Sequence, residues 1–370
     1  MQVQGTCQEQ FIEIKKIFQQ SFDSGEENGA AFSIIQNSNV LINLFGGTKN
    51  EKEVWDENTI VNTFSLSKGI YAACISKLIS ENLLDMEKPI AYYWQSFKQD
   101  NKKNILVRHL LSHQSGLYRF KTKLINQDLL DWEKIITILE NQEPDHEPGK
   151  FTFYHAKTHG YLIGNLFKII TGKSLGQYLR DNITDKYSLK FSFGLSDLEL
   201  NNVANLTENT REKINNTIET FDAFNNPKHD LNFYNSIEWR KNEIHSMGGH
   251  GNSYSIAHIY DSLANDLKHN TKRISDKASL VKGLIETDCK LDLSLNLPIK
   301  WTNIGFILRG GWMFGKNKES FGHNGWGGSL GFADPIYGLG ISYVTRKINP
   351  TMGIDKRAVN LIKKFYEIIN

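Results

Sequence analysis

Cysteine is scarce: 370 residues hold three, Cys7, Cys74 and Cys289, odd in number and far apart. That argues against a disulfide framework or a zinc cluster and for buried thiols in a reducing compartment. Long apolar runs are also missing. No stretch reaches the roughly 18 apolar residues that span a bilayer. The opening MQVQGTCQEQ lacks the basic and apolar segments of a secretory signal. A cytoplasmic protein with no membrane partner is expected. Nor does charge of one sign dominate, since 43 Lys and Arg face 41 Asp and Glu for a net charge of +2. No basic run carries interleaved aromatics, which sets nucleic acid aside as a partner. What remains is 39% hydrophobic and 23% charged, a globular composition long enough for one large or two ordinary domains.

Periodicity gives the organisation. Residues 9–23 place Phe11, Ile12, Ile14, Ile17, Phe18 and Phe22 at helical spacing. Extended runs at 30–36 and 40–45, split by Asn37-Ser38-Asn39, predict a β-hairpin. From Ser65 to about residue 84 the chain reads as a helix apolar on most faces, hence buried. The middle, to about residue 285, reads as helices with long polar connections, and 201–220 as a surface loop or exposed helix. Strands are then expected at 304–314, 320–326, 328–333 and 339–346, with a last helix over 356–370. No internal repeat occurs. Strands and a helix at both ends predict an α+β protein. Residues 1–64 and 290–370 would form a split α/β domain around one antiparallel sheet, flanked by the terminal helices. Residues 65–289 would form an inserted, mainly helical, all-α domain, with the active site in the cleft between the two.

The chemistry centres on Ser65-Leu66-Ser67-Lys68. Serine and lysine three apart on an apolar helix share one face, and an amine there can take the hydroxyl proton. The spacing alone is weak, because Ser279-Leu280-Val281-Lys282 repeats it and a lone serine at a helix start is ordinarily a cap. Lys68 says more, since a lysine inside an apolar helix needs a partner and shifts its pKa readily. Three further segments matter. They are Ile105-Leu106-Val107-Arg108-His109-Leu110-Leu111-Ser112-His113-Gln114-Ser115-Gly116-Leu117; Pro148-Gly149 with Tyr154-His155-Ala156; and Gly322-His323-Asn324-Gly325-Trp326-Gly327-Gly328.

In this order and at these separations, the segments resemble the serine β-lactamase-like superfamily over almost the whole chain. That superfamily includes class C β-lactamases, penicillin-binding-protein-like peptidases, family VIII carboxylesterases and related acyltransferases. The resemblance implies Ser65 as nucleophile, Lys68 as helix-borne base and Tyr154 as the tyrosine that relays protons. It implies an oxyanion hole from the backbone N–H groups of Ser65 and Trp326, and His323, Asn324 and Gly325 as the substrate-binding strand. Neither a cofactor nor a metal is implied.

The departures narrow it. Ala156 stands for the asparagine of Tyr-x-Asn, and His323 for the lysine of Lys-Thr-Gly, so the strand has no permanent cation for a β-lactam carboxylate. No Lys-Thr-Gly or Ser-Asp-Asn occurs anywhere. The chain looks most like the family VIII carboxylesterases, and residues 238–251 read as the cleft wall opposite the nucleophile. The expectation is a serine hydrolase acting on a small-molecule ester or amide, a carboxylesterase for short acyl esters. The alternatives are a β-lactamase, D-amino-acid peptidase or acyltransferase on the same machinery, or a non-catalytic binding member. A substrate-facing His323 should ionise near 6–7, the ordinary histidine range. Trp312 and Trp326 would line the acyl pocket.

Two patterns are set aside. His109/His113 and His155/His159 have zinc-helix spacing but lack the Glu of His-Glu-x-x-His; His109 reads as a core residue or one that supports the site from behind, and His113 as a loop anchor near the cleft. Gly327-Gly328-Ser329-Leu330-Gly331 matches the nucleophile elbow. However, strand and turn follow it, and no histidine occurs after Ser329.

Overall fold

The computed structural model of the protein describes residues 2–209, 222–308, 311–349 and 355–370. Both ends of the chain meet in a seven-stranded antiparallel sheet. Its order is Gln4–Cys7, Asn39–Gly47, Gly29–Gln36, Leu339–Thr345, Leu330–Asp334, Phe321–Asn324 and Ile307–Leu308. The seam between the ends is the pairing of Gly29–Gln36 with Leu339–Thr345, in register from Ala30 with Thr345 to Gln36 with Leu339. Both seam strands are buried along nearly their whole length, which is why they read as continuous apolar runs and not as alternating ones.

Helices Ile12–Asp23 and Lys356–Ile368 cover one face of the sheet, where Phe18, Leu361 and Phe365 join Phe32, Phe332 and Ile341 in one core. Helix Ser253–His269 lies on the other face. Its close seat needs bare backbone beneath it, because a Cβ on Gly340 would meet the Ala257 carbonyl oxygen at 1.9 Å. The Leu66–Ser80 helix is buried almost all round, as its composition predicts, and ends four residues short of the expected point.

Several elements differ from expectation. Gln4–Cys7 forms an edge strand against Asn39–Gly47; its polar residues carry no strand period, so pairing and not pattern makes it a strand. Among the described residues of the expected 304–314 strand, Ile307–Leu308 alone joins the ladder, and Gly311–Phe314 turns as a short 3-10 helix. The middle of the chain also carries a small antiparallel sheet of Val61–Asn62, Gly249–Gly251 and Phe191–Phe193. Within 201–220, Thr207–Glu208 pairs with Lys347–Ile348, and residues from 210 onward lie outside the described ones. Cys74 is buried, whereas Cys7 and Cys289 are only half-buried, and all three are free thiols. Among the described residues, no helix is long and apolar enough to cross a membrane.

One buried charge network fastens the sheet seam to the last helix. The Arg357 guanidinium lies 2.6 Å from both Glu27 Oε1 and Asp355 Oδ2, and donates to the Lys347 and Gly327 carbonyls at 2.9 Å. Thr345 and Tyr343, on a seam strand, donate their hydroxyls to Glu27. Arg357→Met would strand two buried carboxylates, so a loss of about 3–5 kcal/mol is expected. Chemical denaturation at pH 7 checks this; a loss below about 1 kcal/mol would mean that the network does not fasten the seam.

Candidate active site

The small sheet sets the turn that presents Ser65. Strand Val61–Asn62 pairs with Gly249–Gly251, Thr63 Oγ1 donates to the Gly249 carbonyl at 3.0 Å, and Gly249 N–H donates to Ser67 Oγ at 3.0 Å. Between them Phe64 sits at φ +47°, left-handed backbone that costs a non-glycine residue about 1–2 kcal/mol. The Asn62 side-chain oxygen accepts the Phe64 N–H at 3.0 Å. The Phe64 ring meets Trp326 at 5.1 Å and Tyr234 at 5.3 Å, both edge-on. This strained turn ends at Ser65, the residue before helix Leu66–Ser80. Its hydroxyl makes no capping bond, which excludes the ordinary structural use of a serine there.

Lys68 lies one turn along and is 1% exposed. Its Nζ is 3.4 Å from Ser65 Oγ and donates to the carbonyls of Ala156 at 3.0 Å and Ser246 at 2.9 Å. Among the described residues no carboxylate pairs with it, and burial holds the amine well below its usual range. Ser246 is itself fixed: its hydroxyl accepts the Gly160 N–H at 2.6 Å and donates to the Lys157 carbonyl at 2.7 Å.

Tyr154 reaches the same hydroxyl from another side. Its ring centroid lies 5.0 Å from Lys68 Nζ, and burial pushes its phenol up while the neighbouring Ser65 hydroxyl pulls the other way. The ring stacks on Trp301 at 5.5 Å and 10°. Asp292 anchors both partners, accepting the Trp301 indole N–H at 3.0 Å and the Tyr154 backbone N–H at 3.3 Å. Neither Asp292 nor Trp301 carries a motif, and 138 residues separate Asp292 from Tyr154. Only the fold joins them.

The Phe321–Asn324 strand brings the third segment in. Gly325 packs against the nucleophile turn so closely that a Cβ there would meet the Thr63 carbonyl oxygen at 2.1 Å. Trp326 and Ser65 therefore border one cavity. Among the described residues, neither backbone N–H donates to another backbone carbonyl. The geometry thus brings together Ser65, Lys68, Tyr154, His323, Gly325 and Trp326, with Asn324 half-buried at the strand end.

His323 departs from its expected ionisation. It is 2% exposed, and its Nδ1 lies 2.7 Å from the Asn324 carbonyl oxygen. A carbonyl only accepts, so Nδ1 carries the proton and Nε2 is a bare acceptor, buried and unpartnered. Burial first, and the Lys68 charge second, push its pKa down to about 3, so the expectation near 6–7 fails. Desolvation in the cleft decides this, and strand position in the sequence carries no trace of it.

The remaining patterns fall into place. His155 bonds through Nε2 to Ser115 Oγ at 2.7 Å and through Nδ1 to the Phe153 carbonyl at 2.7 Å. His159 pairs with the Tyr71 hydroxyl and the Leu110 carbonyl. His113 accepts the His155 N–H and packs edge-on against Tyr154, a support of the site more than a loop anchor. Ser279 spends its hydroxyl on Asp276 at 2.7 Å, so the second Ser-x-x-Lys is structural. Ser329 lies between two strands and accepts the Thr345 N–H. From 238–251, Ser246 and Met247 reach the site. Trp326 lines the cavity as expected, and the Trp312 side chain lies outside the described residues.

The family model for Beta-lactamase matches residues 14–363. The Mycobacterium tuberculosis protein named Esterase/beta-lactamase LipL is 25% identical over 375 aligned residues, covering 95% of this chain and 85% of its own. A solved family VIII carboxylesterase superposes with a TM-score of 0.92 at 31% identity, with both chains fully covered. A penicillin-binding protein homologue from Caulobacter crescentus gives 0.90 at 30%, again over both whole chains.

The buried imidazoles make stability acid-sensitive. His155, His250 and His323 take up a proton only near pH 3 in the fold, whereas the unfolded chain does so near 6.5. Protons therefore favour the unfolded chain, and stability falls as the pH drops below 6.5. Each histidine contributes about 2 kcal/mol of that loss by pH 5. Urea midpoints from pH 7.5 to 5 check the trend, and His323→Asn should flatten it. A proton resonance of the His323 ring that titrates between pH 6 and 7 would contradict the placement.

Proposed function

Because the chain belongs to the beta-lactamase family, we propose that it is a serine hydrolase working through an acyl-enzyme, a carboxylesterase for short acyl esters. The observation that carries this reading is the setting of Lys68. A neutral amine has two N–H bonds and one lone pair. The Ala156 and Ser246 carbonyls take both N–H bonds, so the lone pair faces Ser65 Oγ at 3.4 Å. Burial pushes the Tyr154 phenol up and the Lys68 amine down, which favours Lys68 over Tyr154 as the resting base.

The steps follow from those states. Ser65 Oγ attacks the ester carbonyl carbon and its proton passes to Lys68. The oxyanion rests on the N–H groups of Ser65 and Trp326, each worth on the order of 3 kcal/mol. The C–O bond breaks, Tyr154 protonates the leaving alkoxide, and Lys68 returns a proton to Tyr154. Water then attacks the acyl-serine with the same groups acting in reverse.

The polarity of the strand favours esters over β-lactams. Where a cation would grip a carboxylate, His323 presents a lone pair on Nε2. The amide expected at 156 is a methyl. Residues 1–64 and 290–370 as a sheet-bearing part, and 65–289 as a mainly helical part, belong to the same proposal. Helix Ser253–His269 packs on the sheet and is best counted with it.

The test compares p-nitrophenyl butyrate with nitrocefin in wild type, Ser65→Ala, Lys68→Ala and Tyr154→Phe. Ester turnover should vanish in Ser65→Ala and fall about 10²–10⁴-fold in the other two. Intact mass of trapped wild type should show one acyl group on Ser65. Ester hydrolysis that survives Ser65→Ala would sink the reading, and nitrocefin turned over faster than ester would make the enzyme a β-lactamase.

A further inference from the structure

One buried cation stands unused by this chemistry. Lys157 follows Ala156 directly, is 3% exposed and, among the described residues, pairs with no carboxylate. Its Nζ donates to the carbonyls of Phe224, at 2.8 Å, and Pro227. Burying an amine against carbonyls alone is costly, and burial pushes this one down to about 7. Such a cost points to a positional role.

The segment it holds runs from Asp222 to His229, across the cavity beside Ser65. Its regular structure is one helical turn, Asp222–Asn225. Besides Lys157, Asn226 ties it down by donating to the Phe120 carbonyl at 2.9 Å and the Thr122 carbonyl at 2.8 Å. His229 stacks on Trp326 at 4.7 Å and bonds to the Tyr234 hydroxyl at 2.7 Å. The cavity left beneath, walled by Phe64, Phe224, Met247 and Trp326, measures about 20 Å³, room for about one water. Tyr154 is not on its wall. A leaving group protonated by Tyr154 would depart on another side, which would leave this cavity to the acyl substituent.

We propose that Lys157 is a positioning residue that pins the 222–229 segment over Ser65, with Phe224 as the stop of the acyl pocket, so that acetyl-sized acyl groups are selected. This rests on the serine-hydrolase reading above. Each methylene that a pocket cannot hold costs about tenfold or more in discrimination. The acetyl group places one methyl carbon in the cavity, and butyryl places three carbons there.

The experiment is kcat/KM for p-nitrophenyl acetate, butyrate and octanoate in wild type, Phe224→Ala and Lys157→Met. Wild type should fall at least tenfold from acetate to butyrate and further to octanoate. Phe224→Ala should raise the octanoate-to-acetate ratio at least tenfold, mainly through KM, and Lys157→Met should move it the same way. A general loss of structure would lower all three esters together and leave the ratio unchanged. Wild type that takes octanoate as readily as acetate, or a ratio unmoved in Phe224→Ala, overturns the proposal. Phe224→Ala carries the test by itself if Lys157→Met does not fold. Ser65→Ala in the same assay keeps the two readings apart, since activity surviving there strikes the hydrolase and an unmoved ratio strikes only the pocket.

Discussion

An amine held in a dry cleft, beside a hydroxyl and out of reach of any described carboxylate, is the constraint that the rest of the structure serves. A carboxylate at hydrogen-bond distance would hold Lys68 as an ammonium, and an ammonium has no lone pair to offer Ser65. The Ala156 and Ser246 carbonyls instead fix its direction without fixing its charge. That arrangement needs walls. Helix Leu66–Ser80 supplies one as a nearly all-buried helix, and the sheet strand bearing His323 supplies another. Residues 154–157 and the 246–251 stretch close the remaining sides.

The surrounding groups agree with that requirement. His113, His155, His159 and His323 are all buried, and all are pushed below the ordinary histidine range, burial being the first cause in each. None adds a positive charge near Lys68 at neutral pH, so none works against its proton uptake during a reaction. The phenols of Tyr71 and Tyr154 are pushed the other way by the same burial, and so add no negative charge. Burial thus shifts the histidines, the phenols and the Lys68 amine alike towards their neutral forms. Left-handed Phe64 and the close seat of Gly325 against Thr63 add the geometric half, bringing Ser65 and Trp326 to the border of one cavity.

Two buried basic residues thus have opposite uses. Lys68 Nζ lies beside the Ser65 hydroxyl, whereas Lys157 directs its N–H bonds into the 222–229 segment; in the proposed mechanism the first moves a proton and the second shapes the pocket. They lie on either side of the Tyr154–Ala156 turn, so on the proposed reading one short stretch would set both reactivity and the size of the acyl group. The turn between them is buried, and the Tyr154 ring packs against Phe224 and Trp301.

The sequence by itself determined the elements whose information is local or ordered along the chain. The hairpin near residue 30, the buried helix after Ser65, the last strands and the terminal helices are legible because apolar period and turn residues are local properties. The proposed constellation is nameable from sequence because three short segments arrive in a familiar order, and the fold brings its residues together. Tertiary structure alone decided the edge strand Gln4–Cys7, which exists by pairing, and the Asp292–Trp301 support of Tyr154, which joins residues 138 apart. It alone decided that burial pushes His323 towards its neutral form, that Lys157 reaches across to Phe224, and how little room the described residues leave in the cavity beside Ser65. Solvation and proximity cause these, and both belong to the surroundings a residue acquires on folding. Residue type and spacing along the chain do not encode them.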